Sequence, residues 1–228
     1  MSVSGPGRAP LSALRRVTRS RPSEEDGERC EMCAERIDAV HGHVVDLQSR
    51  ALMCACRPCY LLFAGEHASA RYRSAPERYL AFGDGLDDAV WDELQIPVGL
   101  AFLFRNSAQE RMVAFYPGPA GATESDLSVA GWDRIVTRQP AFGVLRPDVE
   151  ALLIRRSGPG VAGSCHLVPI DACYALVGRL RAGWRGFDGG QEAHQMIESF
   201  FAGVRSRSRP AGPGLPAPPA GAGTASAS

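Results

Sequence analysis

Two pairs of closely spaced cysteines constrain the fold of this chain more than any other feature of its sequence. Cys30 and Cys33 form the first pair, Cys56 and Cys59 form the second, and 22 residues separate the pairs. Each pair can place two sulfur ligands one tight turn apart, and two such pairs complete a tetrahedral metal site. We therefore predict a four-thiolate site, with zinc as the ion and iron as the alternative.

Three other residues of the same stretch compete for these four positions. Cys54 lies two residues before Cys56, so on a strand both side chains would share one face and Cys54 could replace Cys56. His41 and His43 share a face at the start of the preceding strand, and either could be a ligand. Cys54, His41 and His43 are therefore the alternate ligands.

The residues around the cysteine pairs predict how such a site is built. HVVDL (43–47) and RALMC (50–54) are typical of two short strands joined by a polar turn, and Pro58 suits the first turn of a helix. A turn, a hairpin and a helix start, with ligands on the first and last, form the treble-clef arrangement of a structural zinc site. So small a module has little apolar core, and metal binding would supply its folding energy.

Composition limits the location and the chemistry of the protein. No stretch of about 18 apolar residues is present, so we expect no membrane span. Five of the seven cysteines fall within 30 residues and no export signal is evident. Both observations favour metal ligands in a reducing cytoplasm over disulfides. All 25 basic residues are Arg, and the absence of Lys excludes Schiff-base chemistry, pyridoxal phosphate attachment and a Walker-type phosphate site.

The charges are divided between the centre of the chain and its ends. Five Arg and no acid occur in residues 1–21, and three Arg and no acid in residues 205–228. That leaves 17 Arg against all 25 acids in residues 22–204, a net charge of −8. Phosphate binding needs a local positive excess, so nucleic acid is an unfavourable partner for the central part. Binding through the N-terminal Arg-rich arm is the alternative.

Five segments follow from composition and periodicity. Strand-forming runs at 98–104 and 111–116, and again at 149–154 and 165–168, predict two hairpins, each followed by a helix. The predicted segments are a disordered Arg-rich arm (1–28), the zinc-binding module (29–67), a connector with a short helix (68–95), an α+β domain (96–205) and a disordered Pro/Gly/Ala tail (206–228). The predicted class is α+β, a treble-clef-like module followed by an antiparallel four-stranded sheet with helices on one face.

One loop outside the module could contact a partner or a ligand. Residues 116–126 are rich in Gly, Pro and Ala, which would let the backbone approach another molecule, and Tyr116, Thr123 and Glu124 supply polar groups. The simpler interpretation is a surface loop that leads into a helix, with the acids favouring its N-terminus.

Several segments together resemble a known family. They are CEMC, HGHVVDL, LMCACRPCYLLF, IPVGLAFLF, VAFYPGPAGATES, DVEALLIRR and HLVPIDACYALVGRLRAGWRG, with a final Phe-rich helix. Over roughly residues 30–205 the chain resembles an uncharacterised actinobacterial family often encoded beside nickel–iron hydrogenase genes and their maturation factors. The resemblance implies an accessory protein for assembling, stabilising or wiring a metalloenzyme, with a hydrogenase subunit or maturation factor as partner.

These observations predict a cytoplasmic adaptor or accessory protein that is stabilised by zinc and acts by protein contacts. Four thiolates leave no open position for catalysis, so we predict that the protein is not an enzyme. The electron-transfer alternative is a rubredoxin-like iron site or an iron–sulfur cluster. Rubredoxin loops usually carry Gly after each pair, whereas this chain has Ala34 and Tyr60, which favours zinc.

Overall fold

The computed structural model describes residues 27–65, 71–83, 88–93, 96, 98–118, 121–125, 135–137, 139–158, 163–183 and 190–212. Nearly all of the predicted Arg-rich arm and most of the predicted tail lie outside these segments. The strands are β1 (Gly42–Asp46), β2 (Ala51–Ala55), β3 (Tyr72–Ser74), β4 (Leu80–Ala81), β5 (Leu100–Asn106), β6 (Arg111–Gly118), β7 (Gly121–Ser125), β8 (Glu150–Arg155), β9 (Ser164–Pro169) and β10 (Arg209–Pro210). The helices are α1 (Arg57–Leu62), α2 (Asp88–Glu93), α3 (Ile170–Gly183) and α4 (Gly190–Arg207), with a 3-10 turn at Pro140–Val144.

A small antiparallel sheet of order β2-β1-β3 carries the Cys-rich stretch. The Asp46 carboxylate closes the turn between β1 and β2 by accepting the backbone N–H of Gln48 at 3.0 Å, and it pairs with Arg71 at 2.7 Å. Arg50 completes the turn in the left-handed region, at φ 59°. The predicted hairpin is therefore present, and β3 is an addition that the sequence did not indicate.

The second sheet has seven strands in the order β10-β4-β9-β8-β5-β6-β7. The two predicted hairpins, β5–β6 and β8–β9, form its centre and are joined edge to edge by antiparallel pairing of β5 with β8. The α+β class is thus confirmed, but the predicted count of four strands is wrong. Strand β7 adds to β6 as a hairpin, and β4 and β10, each two residues long, join through pairing partners elsewhere in the chain.

Helical segments cover both faces of this sheet. Side chains along β8 alternate between the faces, with Leu152 buried in one apolar cluster and Leu153 in the other. Leu176 of α3 and Phe201 of α4 pack on the Leu153 side. The opposite cluster buries three groups from short segments, Trp91 of α2, Ile135 and Phe142. The prediction of helices on one face is therefore wrong, because short helical pieces with large side chains cover the other.

The last described residues are ordered into the sheet rather than forming a tail. Helix α4 continues to Arg207, and Arg209 then pairs with Leu80 in parallel register. Ser208 lies between them, with its Oγ 3.0 Å from the Nδ1 of His166. The prediction of disorder from residue 206 therefore fails for residues 206–212, whose backbone groups complete one edge of the sheet.

The Cys-rich module packs directly on the second sheet. Val45 of β1 and Ala75 after β3 are buried in the same cluster as the residues of α3 and α4. Arg78, in the chain between β3 and β4, pairs with the fully buried Glu150 of β8 at 2.7 Å.

None of the described helices has the length and apolar character needed to cross a membrane.

Candidate metal centre

The first cysteine pair lies in a tight turn closed by its own backbone. Cys30 N donates to Glu35 O at 2.8 Å, and Ala34 N donates to Cys30 O at 2.8 Å. The turn ends with Ala34 in the left-handed region, at φ 62°, where a side chain is strained and Gly is the usual residue. This geometry turns the Cys30 and Cys33 side chains toward one point.

The second pair begins helix α1. Cys56 is its N-cap and adopts an extended conformation, with φ −66° and ψ 161°, and Pro58 lies in the first turn. Tyr60 fixes the helix against the hairpin, because a Cβ on Gly42 would lie 2.4 Å from its ring. Its hydroxyl donates to Ala75 O at 2.9 Å. Only glycine fits at position 42, and the close contact brings α1 onto β1.

The four predicted cysteines come together at this junction. The sulfur atoms of Cys30, Cys33, Cys56 and Cys59 all lie within 4.8 Å of one another. The Cys33 and Cys56 sulfurs are 3.6 Å apart, well beyond a disulfide bond of about 2.05 Å. A tetrahedral ion with metal–sulfur bonds of about 2.3 Å has sulfur–sulfur edges of about 3.8 Å. The spacing therefore fits four thiolates around one ion.

Backbone donors favour one of the four sulfurs as a thiolate. Burial raises the pKa of Cys30, but hydrogen bonds from the backbone N–H groups of Cys56, Met32 and Cys33 outweigh burial and lower it to about 6. Such donors are the second-shell contacts that orient and stabilise a metal-bound sulfur.

The neighbouring thiols resist further ionisation because they crowd together. Burial, followed by the thiols of Cys56 and Cys33, raises the pKa of Cys59 to about 12. The backbone N–H of Glu35 lowers the pKa of Cys33, but the thiols of Cys30 and Cys56 outweigh it and the net pKa is raised. Four thiolates this close repel one another unless a cation lies between them, so the donor set suits a metal ion.

The three alternate ligands do not join this cluster. Donor atoms of His41, His43 and Cys54 form a second group, again within 4.8 Å of one another. The reason is that β2 ends at Ala55, so that Cys56 belongs to the helix start and its side chain leaves the strand face that Cys54 occupies. The sequence spacing alone could not separate these two cysteines.

Two hydrogen bonds hold the first cysteine turn against β2. Glu31 N donates to Cys54 O at 2.9 Å, and Cys54 N donates to a carboxylate oxygen of Glu31 at 2.6 Å. The first cysteine turn is therefore attached to the hairpin by direct hydrogen bonds, one residue away from Cys30 and in contact with Cys54 of the second group.

The predicted loop at residues 116–126 is a β-hairpin in its described part. Tyr116 of β6 pairs with Thr123 of β7, and Glu124 accepts a hydrogen bond from Arg111 at 2.5 Å. The loop prediction is corrected by this pairing: despite its small residues, the segment forms the outer edge of the large sheet. Residues 126–134 lie outside the described segments, and the helix predicted there is described only at 135–137.

Glu124 instead contributes to a cavity between the two sheets. The cavity has a volume of about 370 Å³ and is lined by both sheets and the start of α3, within the size range of small-molecule pockets. Its apolar lining comes from Val45, Leu47, Leu52, Phe104, Val113, Phe115 and Ile170. No sequence signal identified it, because its walls come from segments far apart in the chain.

Helix α1 carries an exposed apolar surface beside the four cysteines. Leu61 is 53% exposed and Leu62 is 71% exposed, although both follow directly after Cys59 and Tyr60. Val40, before β1, is 92% exposed. Adjacent exposed leucines on a short, anchored helix are a feature of contact surfaces.

The comparisons with known proteins identify a family but no activity. A family model described as a family of unknown function, DUF5947, matches residues 29–208, so the chain belongs to that family. No curated protein matches the chain. No solved structure matches it either.

Proposed function

We propose that this member of the DUF5947 family is a zinc-stabilised accessory protein of the cytoplasm that acts through protein contacts. The observation that carries the proposal is the meeting of Cys30, Cys33, Cys56 and Cys59 at the base of an exposed apolar helix. Four sulfur donors close a tetrahedral site, which is the arrangement of structural rather than catalytic zinc.

The order of elements supports a treble-clef-like module. A cysteine turn, the β1–β2 hairpin and helix α1 follow one another, and ligands come from the first and the last. The apolar cluster of the module consists of Val44, Ala55 and Tyr60 with two of the sulfur donors. So small a core needs the free energy of metal binding to stay folded.

Leu61 and Leu62 are the residues through which we propose that the protein binds its partner. They follow the metal-ligating Cys59, so an ion in the site would fix their position and lower the entropy lost on binding. The proposed partner is a nickel–iron hydrogenase subunit or maturation factor, in line with the family resemblance of the sequence.

An iron centre is the second candidate. The same four-sulfur geometry serves rubredoxin-like electron carriers. Ala34 adopts the left-handed conformation that the Gly of a rubredoxin loop would provide, so the absence of Gly does not separate zinc from iron. Protein contacts remain the first candidate because the exposed leucines support docking on another protein whichever ion the site holds.

Metal identity is tested on full-length protein purified without added metal. We expect zinc in the four-cysteine site and a colourless protein. Visible thiolate-to-iron absorbance that disappears reversibly on reduction would show that the site holds iron. Electron transfer would then be the proposed function.

Partner binding is tested by titrating the metal-loaded protein with purified hydrogenase subunits and maturation factors from the same organism. We expect one of them to bind, and the Leu61→Ser/Leu62→Ser variant to bind at least about tenfold more weakly. Val40→Ser, which is exposed but lies off α1, is the matched control and should bind as the wild type does. Binding by none of these proteins would remove the hydrogenase partner, and equal binding by the double variant would remove α1 as the contact surface.

A further inference from the structure

A second set of metal-ligating side chains lies at the start of the β1–β2 hairpin, apart from the four-cysteine group. His43 of β1 and Cys54 of β2 are directly opposite partners in the antiparallel register, so their side chains share one face. His41 precedes β1 by one residue, and a donor atom from each of the three lies within 4.8 Å of the others. Two imidazoles and a sulfur therefore converge on one point.

The hydrogen bonds of the two histidines fix the tautomer that binds metals. His41 Nδ1 lies 2.8 Å from the backbone oxygen of Asp38, and His43 Nδ1 lies 2.8 Å from Oδ2 of Asp171. Both partners are acceptors, so each Nδ1 donates a hydrogen bond, and in the neutral ring Nε2 then presents a lone pair. A carbonyl or carboxylate behind Nδ1 is the usual support of a metal-ligating histidine.

His41 shows that a partner is required at this point. Its side chain is only 9% exposed, and its Nε2 is buried without a hydrogen-bond partner among the described residues. A buried acceptor without a partner costs folding free energy. Its ring centroid is 4.8 Å from that of His43, so one ion could satisfy both rings.

The charges around the cluster favour a cation. Glu28 approaches His41 at 3.5 Å, and Glu31 accepts the backbone N–H of Cys54. A divalent ion would offset this negative potential and hold the sulfur as a thiolate.

We propose that His41, His43 and Cys54 form a second metal site, distinct from the four-cysteine site, for a late first-row divalent ion such as Zn²⁺, Co²⁺ or Ni²⁺. Two imidazoles and one thiolate are the donors that these ions prefer. Three protein ligands leave a coordination position of a tetrahedral ion open to water or another molecule. Asp171 is the first-turn residue of α3 and acts as a positioning residue, which ties the site to the large sheet's helices.

The site is tested by anaerobic titration of reduced, metal-free, full-length protein with Co²⁺, with absorption spectra and metal counted after gel filtration. The wild type should bind two ions, one with the intense sulfur-to-cobalt bands of a four-thiolate site. His41→Gln, His43→Gln and Cys54→Ala should each bind one ion and keep those bands, which shows that the module is folded. His194→Gln, on the exposed side of α4, is the matched control and should bind two.

Binding of a single Co²⁺ by the wild type at saturation overturns the proposal, as does binding of two ions by all three variants. Asp171→Asn, outside the module, should weaken the second ion by about 10–100-fold and leave the first unchanged. If a variant loses both ions, the number of Co²⁺ ions that the wild type binds decides whether the second site exists. In a ¹H–¹⁵N spectrum of the zinc-loaded protein the Nε2 atoms of His41 and His43 should be metal-bound, and free Nε2 atoms would overturn the site.

Discussion

The Cys-rich module and the seven-stranded sheet reach stability by different routes. The largest fully buried side chains, among them Trp91, Phe142 and Phe201, all belong to the sheet and its helices. Among the described residues, the cluster within the module has five buried residues, and two of them are Cys30 and Cys56. Apolar burial can support the sheet, whereas the four cysteines of the module lie close enough to bind a metal ion that would add the stability its small core lacks.

The cysteines themselves show the same contrast. Cys165 and Cys173 are fully buried in the sheet region, and burial alone or nearly alone raises the pKa of each. They act as small apolar side chains. Backbone donors around Cys30 instead lower its pKa to about 6. One residue type therefore serves as packing in one region and lies in the geometry of a metal donor in the other.

The largest expected change in the stability of the Cys-rich module is that of Cys56→Ser. Losing one thiolate should remove most of the metal-dependent stability of the module, which for structural zinc amounts to about 10–16 kcal/mol. We expect trypsin to cut after Arg36 and Arg50 of the module in the variant while strands β5, β6, β8 and β9 stay protected.

Cys165→Ala is the matched control, because it removes an equally buried sulfur from the sheet. It should keep its metal and its resistance to trypsin at Arg36 and Arg50, with a loss of about 1 kcal/mol in unfolding free energy. Equal protection of Arg36 and Arg50 in Cys56→Ser and in the wild type would mean that the module folds without the metal.

Leu152→Ala tests how much apolar burial stabilises the seven-stranded sheet. Leu152 is fully buried in the sheet core, and its truncation should lower the unfolding free energy by about 2–5 kcal/mol through the cavity it leaves. Denaturant unfolding followed by circular dichroism measures this change, and the metal content should equal that of the wild type. Loss of metal in the folded variant would show that the two regions are not separable in this way.

The pH dependence of metal affinity sharpens the contrast further. The raised pKa values of Cys33 and Cys59 mean that both are protonated near pH 7.5 without metal, whereas Cys30 is already ionised. Binding an ion then releases at least two protons, so the affinity should rise by at least about a hundredfold per pH unit between pH 7 and 8.5. Calorimetry in buffers of different ionisation enthalpy counts these protons. A flat profile would contradict four-thiolate binding.

The smallest predicted effect concerns the backbone of the first cysteine turn. Ala34 has φ 62°, so Ala34→Gly should relieve strain and raise the stability of the metal-loaded module by about 0.5–1 kcal/mol. Competition with a chelator measures the matching gain in affinity. Ala51→Gly, on strand β2, is the control and should have the opposite sign. A lower metal affinity in Ala34→Gly would show that the backbone at Ala34 is not strained.

Elements with strong local signals were predictable from the sequence. The cysteine spacing indicated the four-sulfur cluster, and the apolar runs indicated β5, β6, β8 and β9. Helix α4, Gly190–Arg207, contains the final Phe-rich helix that the sequence indicated. In each case the local pattern and the tertiary environment agree.

Elements that depend on distant partners were not predictable. Strands of two or three residues, such as β4 and β10, carry no periodicity and exist because each pairs with a segment far along the chain. Asp171 contacts His43 across 128 positions, which no spacing rule reveals. The sequence left Cys54, His41 and His43 open as alternate ligands for a related reason, because the end of β2 decides which way each cysteine faces.

Hydrogen exchange of the full-length protein with and without its metal tests directly whether the Cys-rich module needs the metal to stay folded. After removal of the metal by a chelator under reducing conditions, we predict that amides of β1, β2 and α1 lose their protection. Amides of β5 and β8 should keep theirs, and added zinc should restore the module. Retained protection throughout residues 42–62 in the metal-free protein would contradict the account, because the module would then be stabilised by its apolar contacts alone.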